Sequence, residues 1–135
     1  MVFLDIEKAF DTVWHDGLIL KLNNSRFPMY IQKIIKHFLS DRLFVVCIDK
    51  SCSSPRKIPA GLPQGSVLSP TLYAIYASDI VMERYNEAAF YADVSAFVCS
   101  ARELSAIFKR LKESLSCAEK YFLKWKIKIN QEKTF

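Results

Sequence analysis

From Ala101 to about Trp125 apolar residues return every three or four positions: Leu104, Ile107, Phe108, Leu111, Leu115, Ala118, Phe122 and Trp125. Lysines and glutamates fill the opposite side, the pattern of a long amphipathic helix. A helix of that kind owes its stability to what its stripe packs against, so the chain must supply a second layer. Short β-like runs supply it: Val2 to Ile6, Ala88 to Tyr91, Ser95 to Cys99 and Ile127 to Asn130. The two middle runs have only Ala92-Asp93-Val94 between them, which predicts a tight hairpin with Asp93 at its tip.

The remaining elements follow from local signals. Asp16 to Leu22 begins on a residue suited to an N-cap and reads as a short helix. Pro28 opens a helix over Met29 to Leu39, with Ile31, Ile34, Ile35 and Phe38 on one face. Leu43 to Ile48 and Arg56 to Pro59 read as strands joined by the polar turn Asp49 to Pro55. Ala60 to Pro70 is a loop that holds two of the three glycines. Ser69 and Pro70 then suit the N-cap and first position of a helix to about Glu83. This order predicts an α+β fold in which helices cover one face of an antiparallel sheet.

At 135 residues and 51% apolar content the chain suits one globular domain with a real core. No repeat or linker interrupts it, and its apolar runs are too short to span a bilayer. A net charge of +5 favours an anionic partner such as nucleic acid, although many lysine-rich domains bind nothing acidic. Cys47, Cys52, Cys99 and Cys117 form no C-x-x-C pair and have no histidine at ligand spacing, which argues against zinc. They are expected as reduced, mostly packed thiols of an intracellular protein, in nucleus and cytoplasm.

Chemistry enters with two carboxylates at strand ends, Asp5 after Val2-Phe3-Leu4 and Asp93 in the hairpin turn. If those strands are neighbours, the carboxylates converge and repel unless a cation bridges them. Oxygen-only ligands suit Mg²⁺ or Mn²⁺, the ions of in-line phosphoryl transfer. Each aspartate taken singly also reads as a turn or capping residue.

Four ordered stretches carry a further signal: "VFLDIEKAFDTVWHDGLILKL", "IPAGLPQGSVLSPTLYAIYASDI", "FYADVSAF" and "FLKWKIKINQEKTF". Together they resemble the reverse-transcriptase domain of non-LTR retrotransposons of the jockey type, over essentially the whole chain. The resemblance implies a polymerase palm with part of the fingers, and RNA-directed DNA polymerisation by two-metal catalysis. It implies Asp5 and Asp93 as catalytic metal ligands, with the Ile6 carbonyl as a third ligand to Mg²⁺ or Mn²⁺. Main-chain N–H groups over Glu7 to Ala9 would face the triphosphate, and Phe10 would exclude a ribose 2′-hydroxyl. Leu62, Pro63, Gln64, Gly65 and Ser66 match the second motif, where Gln64 and Gly65 would meet the nucleotide and Pro63 and Ser66 the template. Lys133 would meet the triphosphate or the leaving pyrophosphate; by itself it also reads as a solvated lysine. Arg42 and Lys57 are further candidates for nucleic-acid phosphates. The implied partners are an RNA template, a DNA primer and deoxynucleoside triphosphates, with no membrane.

One departure stands out. The family's third motif carries two adjacent aspartates, and here the second position is Val94. That leaves two expectations: a polymerase, or a remnant that binds nucleic acid or a partner protein without catalysis. The resemblance further implies that residues 1–135 form a palm and partial-fingers fragment, without upstream fingers, thumb or endonuclease, from a truncated copy.

Overall fold

The computed structural model describes residues 2–79, 86–91, 94–101 and 103–133. Strand β1 (Val2–Ile6) leads into helices α1 (His15–Asn24) and α2 (Met29–Leu39). Four two-residue strands follow: β2 (Leu43–Phe44), β3 (Cys47–Ile48), β4 (Ser51–Cys52) and β5 (Arg56–Lys57). Helix α3 (Leu68–Ala77) precedes the hairpin of β6 (Asn86–Tyr91) and β7 (Val94–Cys99). Helix α4 (Leu104–Lys124), β8 (Ile129–Asn130) and a 3-10 turn over Gln131–Lys133 complete the order.

The main sheet runs β6-β7-β1-β8, and its pairings are antiparallel. β2 pairs with β5 and β3 with β4, so the expected hairpin over residues 43–59 is two short ladders set end to end. Leu4 and Ile6 of β1 join the helices' buried residues in one core, with Leu18, Leu22, Leu39, Tyr76, Phe122 and Trp125. The α+β arrangement with helices against an antiparallel sheet is as expected, and no described helix is long and apolar enough to cross a membrane.

Several local expectations give way. α1 starts at His15 with Trp14 as its cap residue, and Asp16 falls in the first turn, where a carboxylate favours the helix dipole. α3 starts at Leu68, ahead of Ser69, with Val67 as its cap residue; the Ser66 hydroxyl accepts the Leu68 N–H at 3.2 Å. α3 ends at Ala77 with Ser78 as its C-cap, short of the expected Glu83; residues 80–83 lie outside the described residues. Ile34 of α2 and Leu104 and Phe108 of α4 are exposed, so neither apolar stripe is buried along its whole length. Cys47 and Cys52, expected as packed thiols, are joined in a disulfide. They are direct partners across β3 and β4 with Cα atoms 4.2 Å apart, and register alone brings them together.

Helices α1 and α4 close in the manner glycine usually provides, but without it. At α1, Phe27 N–H donates to Leu22 and Arg26 N–H to Asn23, with Arg26 at φ 57°. At α4, Ile127 N–H donates to Phe122 and Lys126 N–H to Leu123, with Lys126 again at φ 57°. Both are Schellman closures. The second turns the chain so that β8 runs back beside β1.

Helices α1, α3 and α4 converge on Lys21, a charged side chain only 3% exposed. Its ammonium donates to the Tyr76 carbonyl, the Tyr121 hydroxyl and Asp79 Oδ1. It also lies 4.0 Å from the Trp125 ring centroid and 4.6 Å from that of Tyr121. Burial lowers the Lys21 pKa, partly offset by Asp79. Burial alone would raise the Asp79 carboxyl, but hydrogen bonds from Lys21 and Tyr121 and the Lys21 charge hold it below 3.8.

Lys21→Met is therefore expected to cost about 3 kcal/mol in denaturant unfolding, because it strips the ammonium's bonds from the Tyr76 carbonyl, the Tyr121 hydroxyl and Asp79. Asp79→Asn should cost less, about 1 kcal/mol, since the Asp79 side chain is 52% exposed. A lowered carboxyl contributes its stability above the unfolded value and loses it as pH falls below 3.8. Unfolding curves between neutral and strongly acid pH should show that loss in the parent chain, and less of it in Asp79→Asn.

Candidate functional site

Along β1 the side chains alternate. Leu4 and Ile6 are buried, while Phe3 and Asp5 are half-buried, so Asp5 lies on the face turned away from the helical core. Its register partners are Val94 on β7 and Asn130 on β8. Directly opposed residues of an antiparallel pair share a face, so Asn130 lies on the Asp5 side. Asp93 lies outside the described residues; the position across from Asp5 is that of Val94. Past the end of β1, Glu7, Ile129, Asn130, Gln131 and Glu132 line a polar groove of about 450 Å³. Lys133 is exposed in the 3-10 turn that lies beside β1.

After β1 the chain reverses tightly. Lys8 takes φ 48°, and its carbonyl accepts N–H bonds from Asp11 at 2.8 Å and Thr12 at 3.1 Å. Ala9 is buried in the core, at 5% exposure. Phe10 is half-buried against Tyr73, with ring centroids 4.9 Å apart.

The second motif folds directly onto this turn. Gly61 N–H donates to Val13 at 2.9 Å and Leu62 N–H to Phe10 at 2.7 Å. Gly61 stands at φ +89°, and a Cβ there would lie 2.6 Å from the Asp11 carbonyl oxygen, so the close approach requires glycine. The Gly61 carbonyl accepts from His15 Nε2 at 2.8 Å and Arg42 NH1 at 3.0 Å. Gln64 is exposed and donates its amide to Asp11 Oδ1 at 2.9 Å. Gly65 is exposed at φ +79° with open space around it. Pro63 and Ser66 are half-buried, and the Ser69 hydroxyl donates back to the Pro63 carbonyl at 2.6 Å.

The structure thus joins the Asp5 strand, the Phe10 turn and the Gln64 loop into one assembly. Arg42 turns one guanidinium N–H to the protein's own backbone, and Lys57 lies exposed on the separate β2–β5 ladder. Among the described residues no three His, Cys, Asp or Glu side chains gather as a metal site. Sequence reasoning missed Asp11 and His15. Asp11 stood next to Phe10 within a quoted motif, but its pairing with Gln64 spans 53 residues and has no local signal.

Gly61→Ala is expected to cost about 2 kcal/mol or more in unfolding, through backbone strain and collision with the Asp11 main chain. Gly65→Ala meets the strain alone, about 1 kcal/mol. Denaturant titrations of the two variants should therefore separate clearly, with Gly61→Ala the less stable.

The family model for reverse transcriptase (RNA-dependent DNA polymerase) matches residues 1–135. The chain is 40% identical over 139 residues to the RNA-directed DNA polymerase from mobile element jockey of Drosophila melanogaster, which covers 97% of the chain and 15% of that protein. It is 38% identical over 141 residues to the probable RNA-directed DNA polymerase from transposon BS of the same fly, covering 98% of the chain and 16% of the relative. A shorter match, 43% over 79 residues, is to the probable RNA-directed DNA polymerase from transposon X-element, with 58% of the chain and 9% of the relative covered. The chain therefore spans about 15% of the length of the first of these curated relatives.

Proposed function

Since the chain belongs to the reverse transcriptase (RNA-dependent DNA polymerase) family, we propose that it carries the palm and part of the fingers of a non-LTR retrotransposon polymerase. Its reaction is template-directed nucleotidyl transfer. The primer 3′-hydroxyl attacks the α-phosphorus of a deoxynucleoside triphosphate, an RNA strand serves as template, and pyrophosphate leaves. The observation that carries this reading is the seating of the Gln64 loop on the turn that follows Asp5, through Gly61 and Leu62. It sets a candidate nucleotide contact beside a candidate catalytic strand.

Asp5, the Ile6 carbonyl and Asp93 would hold Mg²⁺ or Mn²⁺. A half-buried carboxylate and a main-chain carbonyl are hard oxygen donors of the kind those ions take. The bound ion supplies charge stabilisation for the attacking and leaving oxygens. The chain's own residues do the rest. The Ala9 main chain faces the triphosphate, and Phe10, backed by Tyr73, closes off the space of a 2′-hydroxyl. Gln64 and Gly65 frame the incoming nucleotide, Pro63 and Ser66 border the template, and Lys133 meets the phosphates. Lys57 adds a cation for the nucleic-acid backbone.

A second reading rests on Val94. The register sets that position across from Asp5, and a valine there leaves the metal site one carboxylate short of the family pattern. On this reading the chain binds primer–template through its positive charge and does not extend it. Primer extension on an RNA template with Mg²⁺ separates the two. Weak extension is expected from the chain as it stands, with a gain of about tenfold or more in Val94→Asp and loss in Asp5→Asn. Equal rates for Val94 and Val94→Asp would overturn the role given to this position. Salt-dependent binding without extension in either would establish the second reading.

A further inference from the structure

The Gly61 carbonyl is the meeting point of three segments that are distant in sequence. Gly61 is buried and seated on the turn after β1, with its N–H on Val13 and its Cα too close to the Asp11 main chain for any side chain. Its carbonyl oxygen then receives His15 Nε2, at the first residue of α1, and Arg42 NH1, just before β2. A carbonyl has two acceptor positions, and these two donors fill both. Because the oxygen can only accept, His15 must carry its proton on Nε2. The guanidinium brings a charge-assisted bond, the stronger of the two kinds.

We propose that His15 and Arg42 are positioning residues that clamp the Gly61 carbonyl and so fix the loop over residues 61–66, with Gln64, against the turn after Asp5. The inference deepens the polymerase reading and rests on it for its functional meaning. Without the clamp, a loop with glycines at both ends would sample other conformations, and Gln64 would reach its site only part of the time. On this account the Arg42 N–H that faces Gly61 serves the protein's own backbone, and Arg42 works through Gln64 instead of gripping phosphate.

Hydrogen exchange on the full chain tests the clamp without requiring activity. His15→Ala and Arg42→Ala should each raise exchange at the Gly61 and Leu62 amides about tenfold, the scale of one lost hydrogen bond. The Leu18 and Leu22 amides of α1 should keep their protection. His15→Gln, whose amide nitrogen reaches about as far as Nε2, should restore protection; the shorter His15→Asn should not. That last pair carries the test if an alanine variant fails to fold. Unchanged exchange at Gly61 and Leu62, or equal protection in His15→Gln and His15→Asn, would overturn the proposal. Arg42→Ala should also leave the salt slope of primer–template binding unchanged, whereas a fall of about one would make Arg42 a phosphate contact and overturn its role. A parent chain that binds no primer–template overturns the polymerase reading, and exchange then decides the clamp by itself.

Discussion

A lysine ammonium removed from water must be met by acceptors, and Lys21 is met from two other helices. Tyr76 and Asp79, at and just after the end of α3, take two of its donors, and Tyr121 of α4 takes another. Trp125, where α4 ends, lies beneath it. The network leaves little freedom in how α1, α3 and α4 meet, because a shift in any of them would expose an unpaired charge to the core. Each tie has a consequence for the candidate site. α3 begins where the second-motif loop ends, α4 closes into the turn that delivers β8, and β8 pairs with Asp5.

Which face Asp5 takes then follows from strand arithmetic. Burying Leu4 and Ile6 sends Asp5 to the other side, and the antiparallel registers set Val94 and Asn130 beside it. The second-motif loop is joined by main-chain bonds at Gly61 and Leu62 and by the His15 and Arg42 side chains on the Gly61 carbonyl. Only glycine fits at position 61. The chain belongs to the reverse transcriptase family, and the proposed palm reading takes from this geometry the valine at the position across from Asp5.

Much of this was legible in the sequence where periodicity spoke. β1 and α2 run over the residues their patterns indicate, and the strand-turn-strand around Asp93 pairs as a hairpin on either side of residues 92 and 93. Helix ends were less legible, because this chain closes α1 and α4 with Arg26 and Lys126 in left-handed conformations that usually announce themselves through glycine. The Cys47–Cys52 disulfide was missed because the cysteine count spoke to metal spacing and not to cross-strand register. Lys21 looked like one more lysine on a helix, since nothing local marks a cation that pairs across 58 residues with Asp79. Asp11 and His15 were hidden for the same reason, and Arg42, singled out as a phosphate contact, gave no local sign of its bond to Gly61: each acts through a contact that only the tertiary fold creates.

Asp5 and the strand beside it are proposed as a divalent-cation site on the sheet face turned away from the helical core. Paramagnetic broadening by Mn²⁺ in amide spectra of the full chain tests it most directly. The account predicts that the amides of Asp5, Ile6 and Val94 broaden first as Mn²⁺ is added, and that Asp5→Asn abolishes the effect. Broadening that centres on another part of the molecule, or that persists unchanged in Asp5→Asn, would contradict it.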